Sequence, residues 1–208
     1  MKHAETVTFG GSSLDRAAEL RGNAEALADM AADASARAIV FWRGKALINS
    51  NRPAGLLQLP MDHPILSESA QDPIFLGRED GAARFAFSID AWEPDGQDLS
   101  QVSQFFDPSQ QIYPGMADGD VFAELRQIMT WLTPRDAEFA ATARALFMWH
   151  GSHQFCANCG HKSVSAKAGW QRDCPECGRN HFPRTDPVVI MLITHGNSVL
   201  LGRSPGWP

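Results

Sequence analysis

"FCANCGHKSVSAKAGWQRDCPECGRNHFPR", residues 155–184, holds every cysteine of the chain, arranged as two CxxC pairs: Cys156 with Cys159, and Cys174 with Cys177. A CxxC turn delivers two thiolates to one ion, and two such turns supply the four tetrahedral sulfur ligands that zinc takes at about 2.3 Å. Gly160 and Gly178 follow the second cysteine of each pair. A residue free to adopt positive φ there lets the backbone turn and aim N–H groups at the sulfurs. The intervening segment contains Trp170 and suits a short hairpin, which predicts a zinc ribbon over residues 151–183. Four thiolates close the shell, so the zinc is structural and offers no position for a reacting water. Two disulfides would need an oxidising compartment, and a redox CxxC would be expected singly beside a βαβ pattern that is missing here. His153, His161 and His181 flank the cluster and read as surface residues, because the cysteines already fill the shell.

Outward from the cluster, the composition sets the class. A 208-residue chain that is 44% hydrophobic can bury a core and divide into more than one unit. The first twenty residues have no apolar signal core, and no apolar run reaches the length of a membrane span. The expectation is a soluble, cytoplasmic protein without a membrane partner. A net charge of −6 excludes general affinity for polyanions. Locally the balance reverses: Lys162, Lys167, Arg172, Arg179 and Arg184 face only Asp173 and Glu176. That patch is thin for a stand-alone nucleic-acid module, but it suits the phosphates of a small nucleotide.

Upstream, residues 12–38 carry helical pieces interrupted near Gly22–Asn23. The stretch "AIVFWRGKALIN" reads as two strands around an Arg-Gly-Lys turn, and Phe85, Phe87 and Ile89 alternate after an Asp80–Gly81 turn. From residue 118 the period changes. Val121, Phe122, Leu125, Ile128, Met129 and Leu132 form a helical stripe, and Thr133, Pro134 and Asp136 cap a second helix. The fold class is α+β: an N-terminal mixed domain with an antiparallel sheet (1–150), the ribbon (151–183), and the first strands of a further domain (184–208). Val188 to Ile193 form an unbroken apolar run, as in a strand covered on both faces, and "HGNS" at 195–198 turns it into a hairpin with Val199–Leu201.

The order of ribbon, aromatic-Pro-Arg exit (Phe182–Pro183–Arg184) and apolar strand resembles the NADH pyrophosphatases of the Nudix hydrolase superfamily. "LDRAAELR" at 14–21, "FLG" at 75–77, "LRQ" at 125–127 and "ARALFMWHGSHQFCANCGHK" at 143–162 extend the resemblance over nearly the whole chain. It implies an NAD(H) diphosphatase that hydrolyses the pyrophosphate of NADH or NAD to nicotinamide mononucleotide and AMP, with NAD-capped RNA as a related substrate. It also implies catalytic Mg²⁺ or Mn²⁺ held by a Nudix box, and a homodimer whose ribbon regions help build a shared site. Phe182 falls where the family stacks an aromatic on a base, and Arg126 matches an arginine that faces substrate. Gly169 stands where some relatives offer a glutamate. The chain has no Glu-Glu pair, and the only carboxylate side chain after Arg184 is Asp186. The Nudix box is therefore absent from these residues, which leaves no catalytic residue to assign. The expectation is an N-terminal portion of a longer enzyme, inactive alone. The rival reading is a non-enzymatic zinc-ribbon module that binds nucleic acid or protein.

Overall fold

The computed structural model describes residue 9 and residues 14–51, 55–94, 107–186 and 191–202. Its centre is β1 (Arg37–Trp42), which the Arg43–Gly44 turn returns into β2 (Lys45–Asn49). Both turn residues have positive φ, as the two-residue turn that matches strand twist requires. Asp80–Gly81 does the same between β5 (Ile74–Glu79) and β6 (Ala82–Ser88). The short strands β3 (Gly55–Leu56) and β4 (Leu59–Pro60) pair with β2 and β1. The two hairpins meet through β1 and β6, which run parallel, Ala38 opposite Phe85 and Val40 opposite Phe87. The sheet is thus mixed where the sequence suggested an antiparallel one. Strand direction at a junction between two hairpins is a long-range matter that neither turn encodes.

Residues 120–123 depart further from the expected helix. β7 (Asp120–Ala123) pairs with β2, with Phe122 opposite Leu47. Val121 and Ala123 enter the core on one sheet face, and Phe122 packs on the other. A short apolar stretch satisfies both periods, and an open edge on β2 with backbone groups to pair decided for the strand. Only Leu125–Ile128 keeps helical form, as α2 once α1 (Ala24–Ala32) is counted. α1 begins where Asn23 accepts from the Ala26 N–H at 3.1 Å, which satisfies one of the free donors of a helix start.

The expected second helix is α3 (Pro134–Ser152), capped by Thr133 accepting from the Asp136 N–H at 3.1 Å. Its buried Ala137, Ala140 and Ala143 let the helix lie close to the sheet, with Phe139 and Leu146 filling the space beside them. Arg144 fastens α3 to the β1–β2 turn, donating to the Gly44 carbonyl at 3.0 Å and pairing with Glu124 at 3.3 Å. The opposite face is closed by Trp42, Leu47, Ile65 and Phe122, with the Trp42 indole donating to the Trp92 carbonyl. Among the described residues no helix is long and apolar enough to cross a membrane.

The ribbon follows as β8 (Val164–Ala166), β9 (Gln171–Asp173) and β10 (Asn180–His181), all antiparallel. Beyond it, β11 (Thr194–His195) and β12 (Ser198–Val199) form the expected hairpin in shorter form. Met191, Leu192 and Ile193 are exposed and outside a strand, while 188–190 of the expected strand lie outside the described residues.

Lys45 is fully buried in β2, and its ammonium reaches Asp107 at 2.8 Å and the Ser109 carbonyl at 2.6 Å. Burial pushes the Asp107 carboxyl up, but hydrogen bonds from Lys45 and Ser109 outweigh it and hold the group below its ordinary value. A carboxyl lowered on folding stabilises above its unfolded value and loses that contribution as pH falls through the folded one. Urea melts should accordingly lose stability below about pH 4, the unfolded value of an aspartate, and Asp107→Asn should flatten that dependence. Lys45→Met, which strands the carboxylate without its partner, should cost about 3–5 kcal/mol at neutral pH. An unchanged melt would contradict the assigned pair.

Candidate functional site

Cys156, Cys159, Cys174 and Cys177 converge so that all four Sγ atoms lie within 4.8 Å of one another. Two contacts cross between the two turns: Cys156 to Cys177 at 3.6 Å and Cys159 to Cys174 at 3.4 Å. A tetrahedron with zinc–sulfur bonds of about 2.3 Å has edges of about 3.8 Å, so the donor set fits one zinc ion. Each turn closes in the same way. The Gly160 N–H bonds the Cys156 carbonyl at 2.9 Å and the Gly178 N–H the Cys174 carbonyl at 3.0 Å, both glycines at positive φ. The glycine amides therefore face carbonyls, and the amides one residue later, of His161 and Arg179, serve the Cys159 and Cys177 sulfurs.

That arrangement shows in the thiols. The Arg179 amide leads the effects that lower the Cys177 thiol to about 6. At Cys156 burial works the other way, yet the amides of Cys159 and Asn158 and the His181 ring bring it down to about 7. At Cys159 the His161 amide favours the thiolate, but burial and the three neighbouring sulfurs outweigh it and push the thiol up to about 12. Without a cation the cluster shares protons; a metal ion replaces them and releases the thiolates. His153 and His161 are exposed as expected. His181 is half-buried, with its Nε2 3.2 Å from Cys156 Sγ. It touches a ligand sulfur, a role that its position in the sequence did not reveal.

The ribbon is joined to the domain by buried polar groups. Trp170 donates its indole N–H to the Phe75 carbonyl of β5 at 2.7 Å, and the Arg21 guanidinium lies 3.7 Å from its ring centre. Arg172 donates to Ser163 Oγ at 2.8 Å, to the Ser163 carbonyl at 2.6 Å and to His150 Nδ1 at 2.9 Å. A guanidinium has no acceptor, so His150 Nδ1 accepts and its proton sits on Nε2, which donates to the Gly169 carbonyl at 2.8 Å. Burial lowers the His150 pKa, the Gly169 contact opposes this and the Arg172 charge adds to it, so the ring is neutral. Gly169 itself has φ +90, and a Cβ there would meet Ile74 Cγ1 at 2.6 Å. The backbone that brings the ribbon onto β5 thus leaves no room for a side chain at residue 169.

Phe182 follows β10 with 64% of its surface exposed. Arg126 is exposed on α2 and lines a groove of about 470 Å³ with Leu125, Met129, Ala141 and Met148. Phe182 is not among the residues lining that groove.

Two hairpins joined edge to edge in one sheet under a long helix, with a four-thiolate ribbon docked at the helix end, define the class. Residues 35–149 match the family described as the NADH pyrophosphatase-like rudimentary NUDIX domain, and residues 152–182 match the NADH pyrophosphatase zinc ribbon domain. The chain belongs to this family. It is similar to the human "NAD(P)H pyrophosphatase NUDT13, mitochondrial", 39% identical over 42% of this chain and 25% of that protein. It is also similar to the "NAD-capped RNA hydrolase NudC" of Stutzerimonas stutzeri, 31% identical over 70% of this chain and 43% of the relative. With the NudC of Mycobacterium tuberculosis it shares 29% identity over 93% of its own length and 55% of the relative. The chain spans about half or less of the length of these relatives.

Freshly purified protein should contain about one zinc per chain, as a single tetrahedral site requires. His181→Ala should weaken zinc binding about tenfold or more by removing a partner of a ligand sulfur, and Cys156→Ser should weaken it further. A metal-free native protein with intact disulfides within either CxxC pair would rule the site out.

Proposed function

We propose that the chain forms the N-terminal and zinc-ribbon portion of an NAD(H) diphosphatase, which cleaves the pyrophosphate of NADH or NAD to nicotinamide mononucleotide and AMP. The observation that carries this reading is family membership, continuous from the sheet through the ribbon over residues 35–182. Relatives named as NAD(P)H pyrophosphatase and NAD-capped RNA hydrolase support the dinucleotide as the recognised group, and NAD-capped RNA is the extended form of that substrate. The closed thiolate shell serves structure, because no coordination position is open to water. Attack of water on a pyrophosphate needs the phosphate charge neutralised and the nucleophile activated, the work of Mg²⁺ or Mn²⁺ on clustered carboxylates. These 208 residues contain no Glu-Glu pair, so that step is assigned to a Nudix box outside them.

Within the chain, Phe182 is assigned to stacking on a base of the dinucleotide. Its exposure right after the ribbon supports this, since a ring stacked in the core could not meet a ligand. Arg126 is assigned to a charge-assisted contact with phosphate, supported by its exposure beside the groove on α2. We assign the protein to the cytoplasm and to a homodimer; the exposed Leu192, Leu200 and Leu201 give the chain a reason to associate.

The assay is AMP release from NADH with Mg²⁺ or Mn²⁺. The 208-residue chain should release none, and turnover by these residues alone would overturn the assignment of the catalytic carboxylates. In a protein that joins these residues to a Nudix box, NADH should be cleaved, and Phe182→Ala should weaken dinucleotide binding by about 1–3 kcal/mol, the range for aromatic–base stacks. Sedimentation at increasing concentration checks the dimer; a monomer at every concentration would contradict it.

A further inference from the structure

A second concavity lies where α3 meets the ribbon, apart from both Phe182 and the groove at Arg126. It encloses about 420 Å³, within the range of small-molecule sites. Its titratable lining is Lys162, Arg172, His150 and Asp72, and Ile74 and Phe147 supply its apolar part. Arg172 is 7% exposed, and every partner it has among the described residues is neutral: the Ser163 hydroxyl, the Ser163 carbonyl and the His150 ring. No carboxylate pairs with it, although the other deeply placed cations of the fold, Lys45 and Arg84, each have one. A buried charge left without a counter-charge is costly. A cleft that keeps one beside a second cation is suited to an anion.

The geometry also fixes what kind of anion. A guanidinium carries five N–H donors in a planar fork. Nε, Nη1 and Nη2 each donate once inside the protein, which leaves one N–H on each terminal nitrogen. Two such charged donors suit a phosphate oxygen each, and a lysine beside them adds a point charge. Asp72 leaves the wall net positive and can accept from a ligand hydroxyl. We propose that this cleft binds the phosphate group of a small phosphomonoester, held by Arg172 and Lys162, with the rest of the ligand against Ile74 and Phe147. His150 is a positioning residue: its Nδ1 accepts from Arg172 and its Nε2 is anchored on Gly169, so the fork is held in one plane. The inference stands on the cleft itself and does not need the diphosphatase reading.

The test uses the zinc-loaded chain with inorganic phosphate and then AMP as probes, followed by calorimetry and amide chemical shifts. Phosphate should bind saturably, with shifts at Lys162, Ser165 and Arg172, and AMP should bind more tightly because it also fills the apolar part. Lys162 is exposed, so Lys162→Ala should leave zinc content and melting unchanged while weakening both probes about tenfold, which corresponds to about 1.4 kcal/mol. Arg172→Met should abolish binding. If that variant does not fold, Lys162→Ala decides alone. Arg179→Ala, a ribbon cation that does not line the cleft, should bind as the parent does. Absence of saturable phosphate binding, binding insensitive to Lys162→Ala, or equal loss in Arg179→Ala would each overturn the proposal.

Discussion

The Trp170 indole donates to the Phe75 carbonyl while Gly169 seats on Ile74, and the position of everything after α3 depends on that contact. A three-stranded ribbon of this size has almost no apolar interior of its own. The metal cluster can fix its internal turns, but not its orientation. Orientation comes from groups that cross to the domain: the indole on β5, the two arginines near its ring, and the Arg172–His150 pair at the end of α3. Gly169 is a point of close approach in that seam. Its backbone, at φ +90, allows the ribbon to approach β5 as closely as it does.

The same docking explains how the fold handles charge. Lys45 and Asp107 neutralise each other beneath the loop at 107–111, and Glu79 of β5 is shared by Arg84 of β6 and Arg135 of α3. These pairs have their counter-charges built in, so they rigidify the domain and offer nothing to a ligand. Arg172 is the contrast. It enters from the ribbon into a space bounded by α3 and the segment before β5, where its internal partners are a hydroxyl, a carbonyl and a neutral ring. The interface that places the ribbon also creates the cleft, and α3 belongs to both.

The metal centre was legible in the sequence because its information is local. Two CxxC turns, each followed by glycine, have one geometry wherever they occur, and the four sulfurs meet as the spacing implies. The Thr133–Pro134–Asp136 cap and the two positive-φ turns were legible for the same reason. Residues 120–123 were not. Their apolar pattern fits a helix as well as a strand, and only the free edge of β2 selects. The parallel pairing of β1 with β6 joins two hairpins far apart in the chain, and no turn residue carries that information. Likewise, nothing in the sequence marks His181 as a partner of Cys156 Sγ, or His150 as the acceptor for Arg172.

By itself the sequence determined the four-thiolate centre, the capped helix that leads to it, the two hairpins and the family they belong to. Each rests on contacts between residues close in the chain, where residue type and spacing dictate geometry. The tertiary structure alone decided the strand direction at the centre of the sheet, the strand at β7, the close seat of Gly169 and the burial of Arg172 without a counter-charge. Those depend on which surfaces meet when the ribbon closes onto the domain, and burial and electrostatic compensation are properties of that meeting, not of any one segment.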